Sequence, residues 1–474
     1  MKIELIGGYE KDELETRIQK VATAGKLSRF SGNVFEVLES CNSYEKNLNL
    51  IKRIISMGHK SIIEHDYLVF AICDVTPIIE QTIIGNRLTS FTIKSRREVD
   101  FRTAGFYVPE FRTKDLSKHP KNEELKQKYI SHMKNLFNIY GDLVDNGINV
   151  EDARFILPYS FHSNIIMGVN ARELEKMVVS FLYGPLSKIS ELKELGEKLL
   201  SIIKEYVPYL EKSIESYSID SNNPFEYMES LAKRPEIKIA DKPILISNTP
   251  NPDDVIIKSS IMYHFQCSEN EAKQIIEESE KKDPEYKSKS MNIILHKEER
   301  RELEQVNFTF QIPISLSILT HLTRHRMHSL LVPEFLPLWN FENIVVPATI
   351  RAKKNLEKLF LDSHKENIKV FEEFKNMNVA DEDLIYFYLG CQMLNVVTTM
   401  NGRTLQWILH LRCCNKAQWQ IRSITKEIAK QVSEIAPLLG KGLGPTCITD
   451  LVCYEGKECC GLINTLLEQK NNKN

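Results

Sequence analysis

Asn401-Gly402-Arg403-Thr404-Leu405 repeats, 231 positions downstream, the pattern of Asn170-Ala171-Arg172-Glu173-Leu174. A second pair of blocks keeps the same order at nearly the same offset: Arg87-Leu88-Thr89-Ser90-Phe91 and Arg326-Met327-His328-Ser329-Leu330 lie 239 positions apart. Upstream, Phe70-Ala71-Ile72 and Phe310-Gln311-Ile312 are each followed by an apolar stretch. Each match alone is short, but shared order and spacing make the chain a degenerate tandem repeat rather than two unrelated helical domains. The boundary lies in residues 217–243, YSIDSNNPFEYMESLAKRPEIKIADKP, a polar stretch with Pro that suits an exposed connection. This divides the chain into a first domain, 1–216, a linker, 217–243, and a second domain, 244–474, which opens with Ile244-Leu245-Ile246 and a turn-like Asn248-Thr-Pro-Asn-Pro-Asp253.

Each half reads as α+β. Ile421, Ile424, Ile428, Val432 and Ile435 recur at intervals of three and four, which predicts one amphipathic helix over 403–437, closed by Pro437. In the first half the equivalent helix starts near Arg172 and is interrupted by Gly184-Pro185, with a second helix at about 190–206. Short β-branched runs near 66–73 and 306–314 read as strands.

Composition narrows the function classes. Lys plus Arg is 62 against 64 for Asp plus Glu, which excludes a globally basic nucleic-acid coat and a strongly acidic disordered chain. No apolar run is long enough to cross a membrane, and MKIELIGGYEKDEL has no apolar leader core. Ten Cys in 474 residues is not the density of a disulfide scaffold and predicts a cytoplasmic setting. Cys447, Cys453, Cys459 and Cys460 form C-x5-C-x5-C-C, which lacks the usual C-x2-C zinc knuckle and reads as an inert thiol-rich tail, so no metal is assigned. Neither a P-loop, nor G-x-G-x-x-G, nor G-x-S-x-G occurs.

The chemistry-bearing residues are mostly cationic. Arg324-His325-Arg326 lies between apolar segments, which favours a pocket over open solvent, and Arg suits phosphate. Asn401 is a good N-cap, and a helix start beside Arg403 is a natural anion site. On the predicted continuous helix, Arg412 would lie about 13 Å beyond Arg403 and on the opposite side. In the first half, Ser95-Arg96-Arg97 suits phosphate and Arg154 edges an apolar run. His59, Ser61, Glu64 and His65 precede a strand, at a spacing that is weak for zinc.

These residues resemble the motifs of the flavin-dependent thymidylate synthase family, once per half and over nearly the whole chain. Its RHRxxSxNExSxR signature is similar to Arg324-His325-Arg326-Met-His-Ser329. Its NxRxL and LRxxxxAQWEIR motifs are similar to Asn401–Leu405 and to Leu411-Arg412-Cys-Cys-Asn-Lys-Ala417-Gln418-Trp419-Gln-Ile421-Arg422. In the first half, His59-Lys-Ser61-Ile-Ile-Glu64-His65 resembles the upstream GHxSxxEH. Arg87 to Arg97 resembles a signature remnant, and Ala153-Arg154-Phe-Ile-Leu157-Pro158 resembles ARxxLP.

The departures fall in both halves. Gly85 and Asn86 replace the first Arg and the His of RHR, Phe181 replaces the LR arginine, and Gly184-Pro185 falls in the degraded AQWEIR region. In the second half Leu331, Val332, Glu334 and Leu336 replace the signature's Asn, Glu, Ser and Arg. Ile385 replaces the ARxxLP arginine, and Glu304-Gln305 stands for Glu-His.

The resemblance implies two tandem family domains, each a small mixed sheet with long helices, and reductive methylation of dUMP to dTMP. FAD is the implied cofactor, with NADPH and methylenetetrahydrofolate as co-substrates. It implies nucleotide binding by Ser95, Arg97, Arg154 and Arg412, with Arg412 also catalytic. His59, Ser61, Glu64, Arg324, His325, Arg326, Asn401 and Arg403 are the implied cofactor-binding residues. The losses are complementary, so the implied site is composite between the repeats. Family members are tetramers with shared sites, which implies a homodimer of this chain as a pseudo-tetramer, with neither nucleic acid nor membrane as partner. Two other readings fit the departures: a flavin enzyme that modifies another pyrimidine nucleotide at C5, and a non-catalytic nucleotide-binding or assembly paralogue.

Overall fold

The computed structural model describes residues 1–8, 14–216, 224–232, 235–334 and 341–471. Residues 217–223 and 233–234 of the expected linker, and Leu336 of the degraded signature, lie outside the described residues.

Two four-stranded antiparallel sheets carry the repeat. The first consists of β1 (Lys2–Gly7), β2 (Tyr67–Val75), β3 (Thr89–Ile93) and β4 (Ser163–Asn170), in the order β1-β2-β4-β3. The second consists of β5 (Ile244–Asn248), β6 (Asn307–Ser315), β7 (Ser329–Leu331) and β8 (Met393–Asn401), in the order β5-β6-β8-β7. Strand order and register both repeat. Tyr67 faces Asn170 and Asn307 faces Asn401; Ser90 faces Gly168 and Ser329 faces Thr399, each two residues before the terminal Asn. A one-residue slip would send every buried side chain to the other face, so a register shared by both sheets specifies a shared fold. The strands expected at 66–73 and 306–314 are β2 and β6. Leu68, Phe70 and Ile72 of β2 and Phe308, Phe310, Ile312 and Ile314 of β6 are buried with the two-residue period of a half-covered strand.

Among the helices are α1 (Leu14–Leu27), α2 (Pro77–Ile84), α3 (Asn122–Asp145), α4 (Ala171–Tyr183), α5 (Ser190–Tyr206), α6 (Leu316–Thr323), α7 (Lys354–Asn376), α8 (Gly402–Arg412) and α9 (Trp419–Ile435). The expected interruption at Gly184-Pro185 separates α4 from α5. The single helix expected over 403–437 is instead two, α8 and α9. The break lies in the Ala417-Gln418-Trp419 motif: the Gln418 side-chain oxygen accepts from the backbone N–H groups of Gln420 (2.7 Å) and Ile421 (3.3 Å) and so starts a new helix. The Arg422 Nη1 closes the intervening turn by donating to the Asn415 carbonyl at 2.6 Å.

The chain forms two compact units. One contains Met1–Ile237 and Val346–Cys391; the other contains Lys238–Glu334 and Gln392–Asn474. Each holds one sheet. Residues 346–391 belong to the second repeat in sequence but are grouped with the first unit. There the equivalent helices α3 and α7 meet, with His132 Nε2 at 2.8 Å from Asn367 Oδ1 and Asn367 Nδ2 donating to the Phe387 carbonyl at 2.9 Å. The equivalent segments after them also pair: Tyr159 N–H donates to the Tyr388 carbonyl (2.7 Å) and Gly390 N–H to the Leu157 carbonyl (3.0 Å). Arg112 fixes this region through its bond network with Asp383, the closest contact being Nη2 to Oδ1 at 2.6 Å. Among the described residues, no helix is long and apolar enough to cross a membrane.

Candidate active site

At the Ser163 end of β4, the first unit gathers the three residues expected to hold phosphate. The chain leaves β3 at Ile93, which faces Ile165, and Lys94 N–H bonds the Asn164 carbonyl. Ser95 then accepts from the Arg97 N–H at 3.3 Å, a turn that sets Arg96 and Arg97 on different sides. Arg96 goes inward: its guanidinium bonds the buried Glu80 at 2.9 Å and lies 5.2 Å from the Phe161 ring centroid. Arg97 pairs with Glu151. Arg154, one turn further along the chain from Glu151, is buried and donates from Nε to the Glu151 carbonyl at 3.0 Å, while its Nη2 has no hydrogen-bond partner. Burial first, then the neighbouring Arg96 and Arg97, push the Arg154 guanidinium down to about 9, with Glu151 opposing. A buried guanidinium with an unused donor beside two more cations is a costly arrangement without an anion and a favourable one with it. The equivalent position of the second repeat, Ile385, is buried and apolar.

The opposite end of β4 carries a different group. Asn170 caps α4 by accepting from Glu173 N–H at 2.9 Å. Glu64, on the 3₁₀ turn Lys60–His65, pairs with Arg172 at 2.5 Å, and His59 and Ser61 are exposed on the same stretch. The second unit repeats this arrangement. Asn401 caps α8 by accepting from Thr404 N–H at 2.8 Å, and Arg403 pairs with Glu304 at 2.6 Å. Sequence reasoning saw Glu304-Gln305 only as a departure; the signal it contained was that the Glu half of Glu-His survives, in register with the arginine after each capping Asn.

Arg324, His325 and Arg326 occupy the turn from α6 to β7. His325 is buried while Arg324 and Arg326 are exposed. Arg412 Nε donates to His325 Nε2 at 3.0 Å, which requires a neutral imidazole with its proton on Nδ1. Burial, then Arg412, His328 and Arg324, push His325 down to about 3, so it stays an acceptor at neutral pH. Thr404 Oγ1 also donates to the Met327 carbonyl at 3.1 Å, tying the start of α8 to this turn. The structure thus brings Arg324, His325, Arg326, Asn401, Arg403 and Arg412 together on connected elements of one unit. It does not join His59, Ser61 and Glu64 to Ser95, Arg97 and Arg154, which lie at opposite ends of β4.

The family model described as thymidylate synthase complementing protein matches residues 12–209 and again 244–438. The chain belongs to this family. It holds the family domain twice, as a tandem duplication. A flavin-dependent thymidylate synthase of Clostridium tetani is 28% identical over 237 residues, which is 46% of this chain and 92% of that protein. One of Pyrococcus horikoshii is 30% identical over 218 residues, 44% of this chain and 84% of that protein. The structure of a UMP/dUMP methylase, PolB, from Streptomyces cacaoi, bound with 5-Br dUMP, aligns at 19% identity with a TM-score of 0.39, over 46% of this chain and 95% of that one.

Proposed function

We propose that the chain is a FAD-dependent thymidylate synthase that methylates dUMP to dTMP with methylenetetrahydrofolate and NADPH, in the cytoplasm and as a dimer of chains. The carrying observation is Arg154, buried beside Arg96 and Arg97 with Nη2 unmatched, which fits a dianionic phosphate. Ser95 and Arg97 complete that phosphate group. Arg324, Arg326 and Arg403 supply the cationic donors that a dinucleotide diphosphate requires, with Asn401 at the helix start, so the donor set fits FAD. His59, Ser61 and Glu64 of the first repeat contribute to that same cofactor site rather than to a second one.

Bound FAD would carry the reducing equivalents and the one-carbon unit, chemistry that side chains cannot supply. The residues of the chain bind and orient. Arg412, held by neutral His325, keeps its charge and directs it at the uracil ring, where negative charge develops during methyl transfer. Ser95, Arg97 and Arg154 fix the other end of the same nucleotide. Complementary losses support one composite site drawing on both repeats: only the first keeps the Arg154 group, and only the second keeps Arg324-His325 and Arg412. The test is NADPH- and folate-dependent formation of dTMP from dUMP, with UMP and dCMP as competitors. Turnover preferring dUMP supports the reading. Turnover of UMP or dCMP alone replaces it with another C5 modification, and nucleotide binding without turnover replaces it with a binding paralogue.

A further inference from the structure

Five of the ten cysteines, Cys414, Cys447, Cys453, Cys459 and Cys460, line one cleft of about 20 Å³ in the second unit. Four of them lie in the C-terminal tail as C-x5-C-x5-C-C, a spacing that matches no knuckle. The fifth comes from the turn between α8 and α9, two residues after Arg412. Sequence spacing therefore understated the cluster, because a ligand from a distant turn is invisible to it.

Three features mark these thiols as more than packing. First, backbone N–H groups two residues on point at their sulfurs: Lys416 N–H at 3.5 Å from Cys414 Sγ and Gly461 N–H at 3.4 Å from Cys459 Sγ, with Glu455 and Leu462 donating to Cys453 and Cys460. Asn415 Nδ2 adds a bond to Cys460 Sγ at 3.6 Å. Such donors orient the sulfur. Secondly, Cys447 has Cys414, Cys453 and Cys460 as its electrostatic neighbours, and Cys453 is hydrogen-bonded to Cys459. Thirdly, Lys416, which pairs with Glu458 at 3.1 Å, lies beside Cys460 at the cleft. Cys413 and Cys391 are buried thiols that lie outside the cleft.

We propose that Cys414, Cys447, Cys453 and Cys460 form a tetrathiolate site for a single zinc ion, which fastens the tail to the turn that follows Arg412. The side chains line the cleft, but among the described residues no three His, Cys, Asp or Glu side chains are already arranged to hold a metal ion. Binding requires the four sulfurs, of which Cys447 is buried and Cys460 exposed, to draw in to the roughly 2.3 Å of a Zn–S bond. Each thiol gives up its proton to the solvent as its bond to zinc forms, so uptake weakens as pH falls.

The test uses the full chain purified under reducing conditions. Elemental analysis should find one zinc per chain. Replacement by Co²⁺ should give the visible bands of a tetrahedral ion and a strong sulfur-to-cobalt charge-transfer band. Cys453→Ser and Cys414→Ser should each lose the zinc and that band, whereas Cys73→Ser, in the other unit, should keep both. Chelation of the wild-type chain should expose the tail to proteolysis, a readout independent of any variant's folding. Wild-type protein with neither zinc nor a cobalt–sulfur band would overturn the proposal. So would iron with acid-labile sulfide in its place, a Cys453–Cys459 disulfide in the freshly purified reduced protein, or equal loss in Cys73→Ser.

Discussion

Replacing Arg154 with Met should weaken nucleotide binding while leaving the ligand-free protein no less stable. An ordinary buried Arg is expensive to remove because its partners are stranded. Arg154 is different: its one hydrogen bond is from Nε to a backbone carbonyl, Nη2 is unmatched, and its neighbours Arg96 and Arg97 repel it. Its folded-state pKa lies at about 9, well below that of a free guanidinium. Because a cation's pKa is lowered by folding, the penalty is present in full below about 9 and fades only as pH rises from there toward the unfolded value. At neutral pH the penalty is several kcal/mol, which exceeds the ~1 kcal/mol of the bond to the Glu151 carbonyl. Met fills the same space without the charge. The lost charge-assisted bond to phosphate is worth about 1.5–3 kcal/mol, or roughly 10- to 150-fold in affinity. Calorimetric titration with dUMP measures the second quantity and thermal unfolding without ligand the first. Undiminished dUMP binding by Arg154→Met, or a steep fall in its ligand-free melting temperature, would refute the reasoning.

Three further outcomes follow from the same geometry. His325 is held neutral, so the unfolded chain takes up a proton near 6.5 that the folded chain refuses until about 3. Its contribution to stability is therefore lost as pH falls between those values. Urea unfolding at pH 7 and pH 5 should show a smaller pH loss for His325→Gln than for wild type. Asp66→Ala leaves Arg17 buried without the carboxylate it bonds at 2.8 Å and Tyr209 without the acceptor it meets at 2.6 Å, and should cost about 3–5 kcal/mol in chemical denaturation. Arg403→Ala should abolish FAD retention, whereas Arg172→Ala, its counterpart in the first repeat, should leave flavin content unchanged by absorbance; both ion pairs are half exposed and worth under about 1 kcal/mol to stability, so neither variant should unfold.

The duplication was legible because it is written in residues whose positions the sheet fixes. The capping Asn170 and Asn401 end equivalent strands, and Ser90 and Ser329 sit at the same register opposite them. Strands β2 and β6 and the break at Gly184-Pro185 were visible for similar reasons, in local period and local breakers. The break at Gln418 was not. The apolar stripe from Ile421 to Ile435 lies wholly beyond it, and only the side-chain cap shows that a separate helix starts there. Grouping of residues 346–391 with the first unit was also hidden, since it depends on contacts such as Asn367 with His132 that span more than 200 positions of sequence. Among the proposed site residues, motif matching pointed to the Arg154 group and Arg412. The Glu64–Arg172 and Glu304–Arg403 pairs, the neutral His325 and the approach of Cys414 to the tail needed three dimensions.

The most direct measurement is FAD stoichiometry, read from the visible spectrum of the reduced, purified chain as flavin is titrated in. One FAD per chain is the expected result, since only the second repeat keeps Arg324, His325 and Arg412. Two per chain would contradict the division of labour between the repeats, and none, even at saturating flavin, would contradict the enzyme itself.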